Sequence, residues 1–149
     1  MNLNDQLAPS HFERIGGQPA VDRIVDSFYR HMTTLPEAAG ILALHPPDLS
    51  ATKVRFNKYL AEWLGGPKRY SQERGHPRLR MRHQPFRIGI AERDAWMLCM
   101  RAALEEIIGS ARLRELLLQQ LFKVADWMRN SDIHGDIHGS PQARAAAIP

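Results

Sequence analysis

Cysteine is almost missing from this chain, with one residue, Cys99, among 149. An internal disulfide is excluded, and a reducing compartment is the expectation. Long apolar runs are missing too. The longest, Ala95 to Met100, falls far short of the roughly 20 residues that a bilayer span requires. The opening Met-Asn-Leu-Asn-Asp-Gln has neither a basic start nor an apolar core, so no secretory leader is expected. The chain therefore reads as cytoplasmic, with no membrane partner. Alternation of apolar and polar residues, the mark of half-buried strands, appears nowhere. Acidic residues are absent from Gly75 to Ala91. That stretch holds Arg78, Arg80, Arg82 and Arg87, which together equal the chain's whole excess charge of +4. A pI near 9.6 ordinarily raises nucleic acid as a partner. Here the excess sits in one short segment rather than along a face, and no nucleic-acid function is expected.

What is present is helical. With 44% hydrophobic and 24% charged residues, the chain is long enough for one globular domain with a substantial core. Residues 1–10 read as a flexible lead, 11–130 as the domain, and 131–149 as a flexible tail. His11 to Ile15 makes a helical turn that Gly16-Gly17 ends, and Pro19 suits the first turn of the next helix. Val21, Ile24, Val25, Phe28 and Met32 recur at three- and four-residue spacing, predicting a helix to about Thr33. A short helical piece from Glu37 to Leu44 leads to the rigid corner His45-Pro46-Pro47. Ser50 is the expected N-cap of a helix with the stripe Phe56, Tyr59, Leu60, Trp63 and Leu64, stopped by Gly65-Gly66-Pro67. Lys68 to Gly75 reads as loop, and Pro77 to His83 as a short helix. A long helix follows from about Ile90, and Gly109-Ser110 separates it from a last one carrying Leu113, Leu117, Leu121, Val124, Ala125 and Met128. The fold class is all-α.

Within the acid-free stretch, His83 stands between arginines interleaved with apolar Leu79, Phe86 and Ile88. A lone histidine is most often an ordinary surface or core residue. A zinc site would need further histidine, cysteine or carboxylate ligands at short spacing, and none lies nearby. Haem needs only one proximal histidine, because the porphyrin supplies the other in-plane donors. Its propionates suit guanidinium groups.

Around these residues the chain resembles the group II truncated haemoglobins. The text that carries the resemblance is Phe12-Glu13-Arg14-Ile15-Gly16-Gly17, Phe28-Tyr29, Trp63-Leu64-Gly65-Gly66-Pro67, the run from Gly75 to Phe86, and Glu92-Arg93-Asp94-Ala95-Trp96. It spans about residues 11–130 and is most specific around His83 and Trp96. It implies a two-over-two helical globin with haem b held between the helix of residues 50–64 and the helix from Ile90. His83 then matches the proximal iron ligand. Tyr29, Trp96 and His45 match distal positions, and Thr52 stands where many globins place a distal histidine. Arg55, Tyr70 and Arg82 match positions near the propionates. Phe28, Phe56, Tyr59, Leu60, Leu79, Phe86, Ile88 and Met100 are the remaining expected haem contacts.

The residue types suit that chemistry. A diatomic ligand that draws electron density from iron becomes partly anionic, and donors in a dry pocket stabilise it. Tyr29 offers an O–H and Trp96 an indole N–H, each on a large ring that excludes water. His45 offers a third donor or orients Tyr29. Plain core packing explains the rings of Tyr29 and Trp96 equally well without the resemblance, and Cys99 reads as a small buried apolar residue. His134 and His138, four apart, read as a solvated tail rather than a metal site.

Two functions of different class follow. One is a haem protein that binds O2, CO or NO reversibly, with peroxidase-like or nitric-oxide-detoxifying activity and a reductase as further expectations, as monomer or homodimer. The other is a haem-free helical module that binds an acidic partner through Arg78–Arg87. An absorption spectrum separates them.

Overall fold

The computed structural model describes residues 8–131, and no strand occurs among them. The histidine pair of the tail lies outside the described residues. Helix α1 spans His11–Ile15 and α2 Gly17–Thr34. A 3-10 turn at Pro36–Ala38 leads into α3, Ala39–Leu42. Then come α4 at Ser50–Trp63, α5 at Arg69–Arg74 and α6 at Leu79–His83. The two last helices are α7, Ile90–Ile107, and α8, Ala111–Trp127. No described helix is long and apolar enough to cross a membrane.

The main packing is α2 on α7, with α4 against α2 and α8 against α7. The predicted stripe of α2 is buried from Val21 to Met32. Opposite it, α7 presents Ala95, Cys99 and Ala103 with Met100 and Leu104. Three small side chains on one face let the two helix backbones approach closely, a feature that an apolar-stripe reading of α7 overlooks. Ser27, Arg30 and His31 of α2 fasten the same crossing through Glu106. Ser27 Oγ donates to its carboxylate at 2.7 Å and Arg30 at 2.6 Å.

Caps define the boundaries. Ser10 Oγ accepts from Glu13 N at 3.2 Å, so the residue expected to end a loose lead caps α1. Gly16 then turns the chain with φ 115, a conformation that other residues adopt at a cost. Gly66 is required by space. A Cβ there would lie 2.6 Å from the Phe12 ring and 2.8 Å from the Ala61 carbonyl oxygen.

Three expectations need correction. Ser50 is the first helical residue of α4, preceded by Leu49 at the N-cap. Asp48 takes the capping role, accepting from Ser50 N at 2.9 Å and Ser50 Oγ at 2.7 Å. Residues expected as loop form α5, because Glu62 of α4 accepts from both Ser71 N and Ser71 Oγ, at 3.0 and 2.9 Å. Pro77 lies outside α6, since Arg78 enters it with φ 46, the one positive φ among described non-glycine residues.

Candidate functional site

Between the helix pairs lies a cleft, partly open to solvent, with about 120 Å³ of internal space. One side is built by Phe28 and Tyr29 of α2, His45 at the corner after α3, and Arg55, Phe56 and Tyr59 of α4. Tyr70 of α5 closes an edge. Leu79 and His83 of α6, with Ile88, form another side, and Trp96 enters from α7.

The rings interlock. Phe28 lies 5.0 Å from Tyr29, 5.3 Å from Phe56 and 5.3 Å from Trp96, centroid to centroid. Tyr29 stands edge-on to Phe56 at 6.0 Å and to His45 at 6.1 Å. Tyr59 and Tyr70 meet edge-on at 5.8 Å. Such edge contacts favour one arrangement over many, so the wall is preformed.

Protonation follows from burial. Tyr29 is 4% exposed. Burial pushes its phenol well above the ordinary value, against a smaller opposite effect of the Arg55 charge. It stays a neutral O–H donor at physiological pH. Tyr59 is pushed up to about 12, by burial first and then by Tyr70 and Glu62. Burial lowers the pKa of both His45 and His83, each partly offset by a bond to a backbone carbonyl. Both rings are therefore neutral near pH 7.

These carbonyl bonds fix the tautomers. His83 Nδ1 lies 2.6 Å from the Leu79 oxygen and His45 Nδ1 lies 2.8 Å from the Ile41 oxygen. A carbonyl only accepts, so each Nδ1 carries the proton and each Nε2 keeps a lone pair. His83 thus has the form of a metal ligand. His45 cannot donate through Nε2 while neutral, which leaves it the role of acceptor beside Tyr29.

Several expected contacts stand elsewhere. Leu60 and Met100 are fully buried but do not line the cleft. Leu60 turns from the face of α4 that carries Arg55 and Tyr59 toward the interior. Met100 lies four residues beyond Trp96 on α7, about 6 Å along the axis. Phe86 packs behind the wall, against the lining residues Ile88 and Met128. Thr52 is buried off the wall. Arg82 also lies off the wall, and its Nε is buried without a hydrogen-bond partner among the described residues.

The cleft contains residues that sequence reasoning missed: Ile41, Leu44, Glu92, Arg93, Val124, Ala125 and Met128. The last three stood in the stripe of α8 read simply as core. Glu92 and Arg93 belonged to a quoted motif but received no role. Arg93 donates to Asp126 at 2.9 Å, and Glu92 accepts from Gly89 N at 3.0 Å.

This set fits a haem. No three described His, Cys, Asp or Glu side chains are grouped to hold a metal ion by themselves. His83, neutral and with a free Nε2 lone pair on the wall, suits a metal whose other donors come with a flat apolar cofactor. Arg55 and Tyr70 at the cleft are polar groups of the type that carboxylates satisfy.

Known proteins match this architecture. The model of the bacterial-like globin family matches residues 10–130. The group 2 truncated hemoglobin YjbI of Bacillus subtilis (strain 168) is 36% identical over 114 residues, covering 76% of this chain and 84% of that protein. The group II 2-on-2 hemoglobin of Agrobacterium tumefaciens superimposes with a TM-score of 0.80 at 45% identity, over 83% of this chain and 95% of that one. The cold-adapted truncated hemoglobin of Pseudoalteromonas haloplanktis TAC125 gives 0.81 at 36% identity, over 83% and 99%. The all-helical fold matches that of 2-on-2 haemoglobin structures, and the chain belongs to the bacterial-like globin family as a group II truncated haemoglobin.

Proposed function

We propose that this chain binds haem b through His83 and uses the cleft to bind diatomic gases, O2 with CO and NO as alternatives. The observation that carries the reading is the His83 tautomer. Nδ1 is tied to the Leu79 carbonyl at 2.6 Å, which leaves Nε2 as the ligating nitrogen of a ring on the cleft wall. When bound, haem iron supplies reversible ligation of a diatomic molecule and one-electron redox chemistry.

The chain's own groups do the rest. Tyr29 donates its phenolic proton toward the ligand, and Trp96 offers its indole N–H from the facing helix. His45, acceptor at Nε2, takes part by orienting the Tyr29 hydroxyl. Phe28 and Phe56 keep water out, which strengthens both donors. Arg55 and Tyr70 are the cleft groups for the propionates. Two donors in a dry site slow ligand release, which suits peroxidase-like work or NO detoxification with a reductase better than bulk carriage.

The test is the absorption spectrum of purified protein with dithionite and then CO. A Soret band that shifts on each addition is expected, with its ferrous form altered in His83→Ala. Colourless protein that takes up no added haem would refute the reading and favour a module that uses Arg78–Arg87 on an acidic partner.

A further inference from the structure

Between α6 and α7 the chain runs from Gln84 to Gly89 without a helix of its own, directly after the His83 backbone. Helix α6 cannot hold it alone. It has five residues, well below the length at which a helix is stable in isolation, and it begins on the left-handed Arg78.

We infer that Asn130, just beyond α8, is the positioning residue for His83. Its Nδ2 donates to the Phe86 carbonyl at 2.6 Å and to the carbonyl of His83 itself at 3.2 Å. Its Oδ1 accepts from Ile88 N at 2.8 Å. The backbone joins in, with Asn130 N and Ser131 N donating to the Ile88 carbonyl at 2.9 and 3.1 Å. One side chain thus meets three backbone groups of the segment, using donor and acceptor ends at once. The amide orientation is fixed by chemistry, because a flip would turn Oδ1 onto two carbonyl oxygens and Nδ2 onto an N–H.

His83 is consequently held at two points. Leu79 fixes its ring through Nδ1, and Asn130 fixes its backbone from the far side of the sequence. A ligating imidazole transmits its tilt and distance to the metal, so a change at Asn130 is read at iron without any contact between the two. No aspartate can substitute, since a carboxylate would face two carbonyl oxygens. The inference rests on haem ligation by His83, and its test is arranged to separate the two.

The iron–histidine stretching band of the ferrous full-length protein, recorded by resonance Raman, is compared in wild type, Asn130→Ala, Asn130→Asp and Ser110→Ala. Ser110 caps the opposite end of α8 and touches neither the segment nor the cleft. A shifted or broadened band is expected in both Asn130 variants, with the wild-type band in Ser110→Ala. The Ile88 amide should exchange about tenfold faster in the Asn130 variants, the loss expected for one good hydrogen bond. Wild-type bands in both Asn130 variants, or an equal change in Ser110→Ala, overturn the inference. If wild type itself shows no iron–histidine band, the haem reading falls. The His83 imidazole resonances of the haem-free chain then decide, with one ring environment in wild type and several in Asn130→Ala expected, and identical spectra overturning it.

Discussion

Replacing Tyr29 by Phe removes one oxygen atom from the cleft and little else. The ring keeps its edge contacts to Phe28, Phe56 and His45, at 5.0, 6.0 and 6.1 Å, so the wall survives. What disappears is a donor that burial keeps protonated, in a wall built mainly of aromatic and aliphatic side chains. A hydrogen bond to a charged acceptor contributes roughly 1.5–3 kcal/mol. Each ~1.4 kcal/mol changes a rate tenfold, so O2 dissociation should accelerate by about 10- to 150-fold. Stopped-flow displacement of O2 by CO measures it directly. His45 supplies the second half of the argument. With Nδ1 committed to Ile41, it acts on the ligand only through Tyr29. His45→Leu should therefore speed dissociation by a smaller factor in the wild-type background and do nothing further in Tyr29→Phe. An unchanged rate in Tyr29→Phe would refute the donor assignment. A full His45→Leu effect in the double variant would show that His45 reaches the ligand itself.

Gly66→Ala pushes a methyl group into the Phe12 ring and the Ala61 carbonyl oxygen. A cost of about 1–3 kcal/mol is expected for such overpacking, visible as a lower thermal midpoint, and an unchanged midpoint would mean that α1 simply moves away. In the haem-free chain, His45 and His83 have pKa values lowered by burial. As pH falls through the unfolded value near 6.5, the unfolded chain gains protons that the folded chain refuses, so stability is present above about 6.5 and lost below it. Urea midpoints at pH 7.5 and 5.5 should fall accordingly in wild type and fall less in His45→Gln. Equal midpoints at both values would contradict neutral buried rings. Cys99 is wholly buried, and burial raises its thiol to about 11. Iodoacetamide should leave it unmodified in the folded protein and label it in urea, as followed by mass spectrometry, and labelling of the native protein would show that α2 and α7 separate readily.

Which parts of this site were legible in the sequence depends on how local their signals are. Helix α2 was readable because its buried residues are apolar and spaced by three and four, and Tyr29 simply continues them. His83 stood out through an acid-free run of arginines, although the arginines mislead about their own use: Arg80, the clearest case, lies against the exposed Trp127 ring at 4.7 Å instead of reaching the cleft. Helix α5 was unreadable because Tyr70 alone is buried in it, and its support comes from Glu62 and Lys58 of another helix. The tight face of α7 hid because Ala95, Cys99 and Ala103 carry little hydrophobic weight while deciding how close α2 can come. Asn130 is the extreme case. It is one polar residue at a helix end, a place where polar residues are unremarked, and the carbonyl it binds belongs to a histidine 47 positions earlier. The identity of a ligating group can be read from its neighbours in sequence, but its placement depends on groups that only folding brings near. For this reason substitutions at Asn130 should alter the iron–histidine bond more than substitutions at Arg78 or Arg80, which lie closer to His83 in sequence.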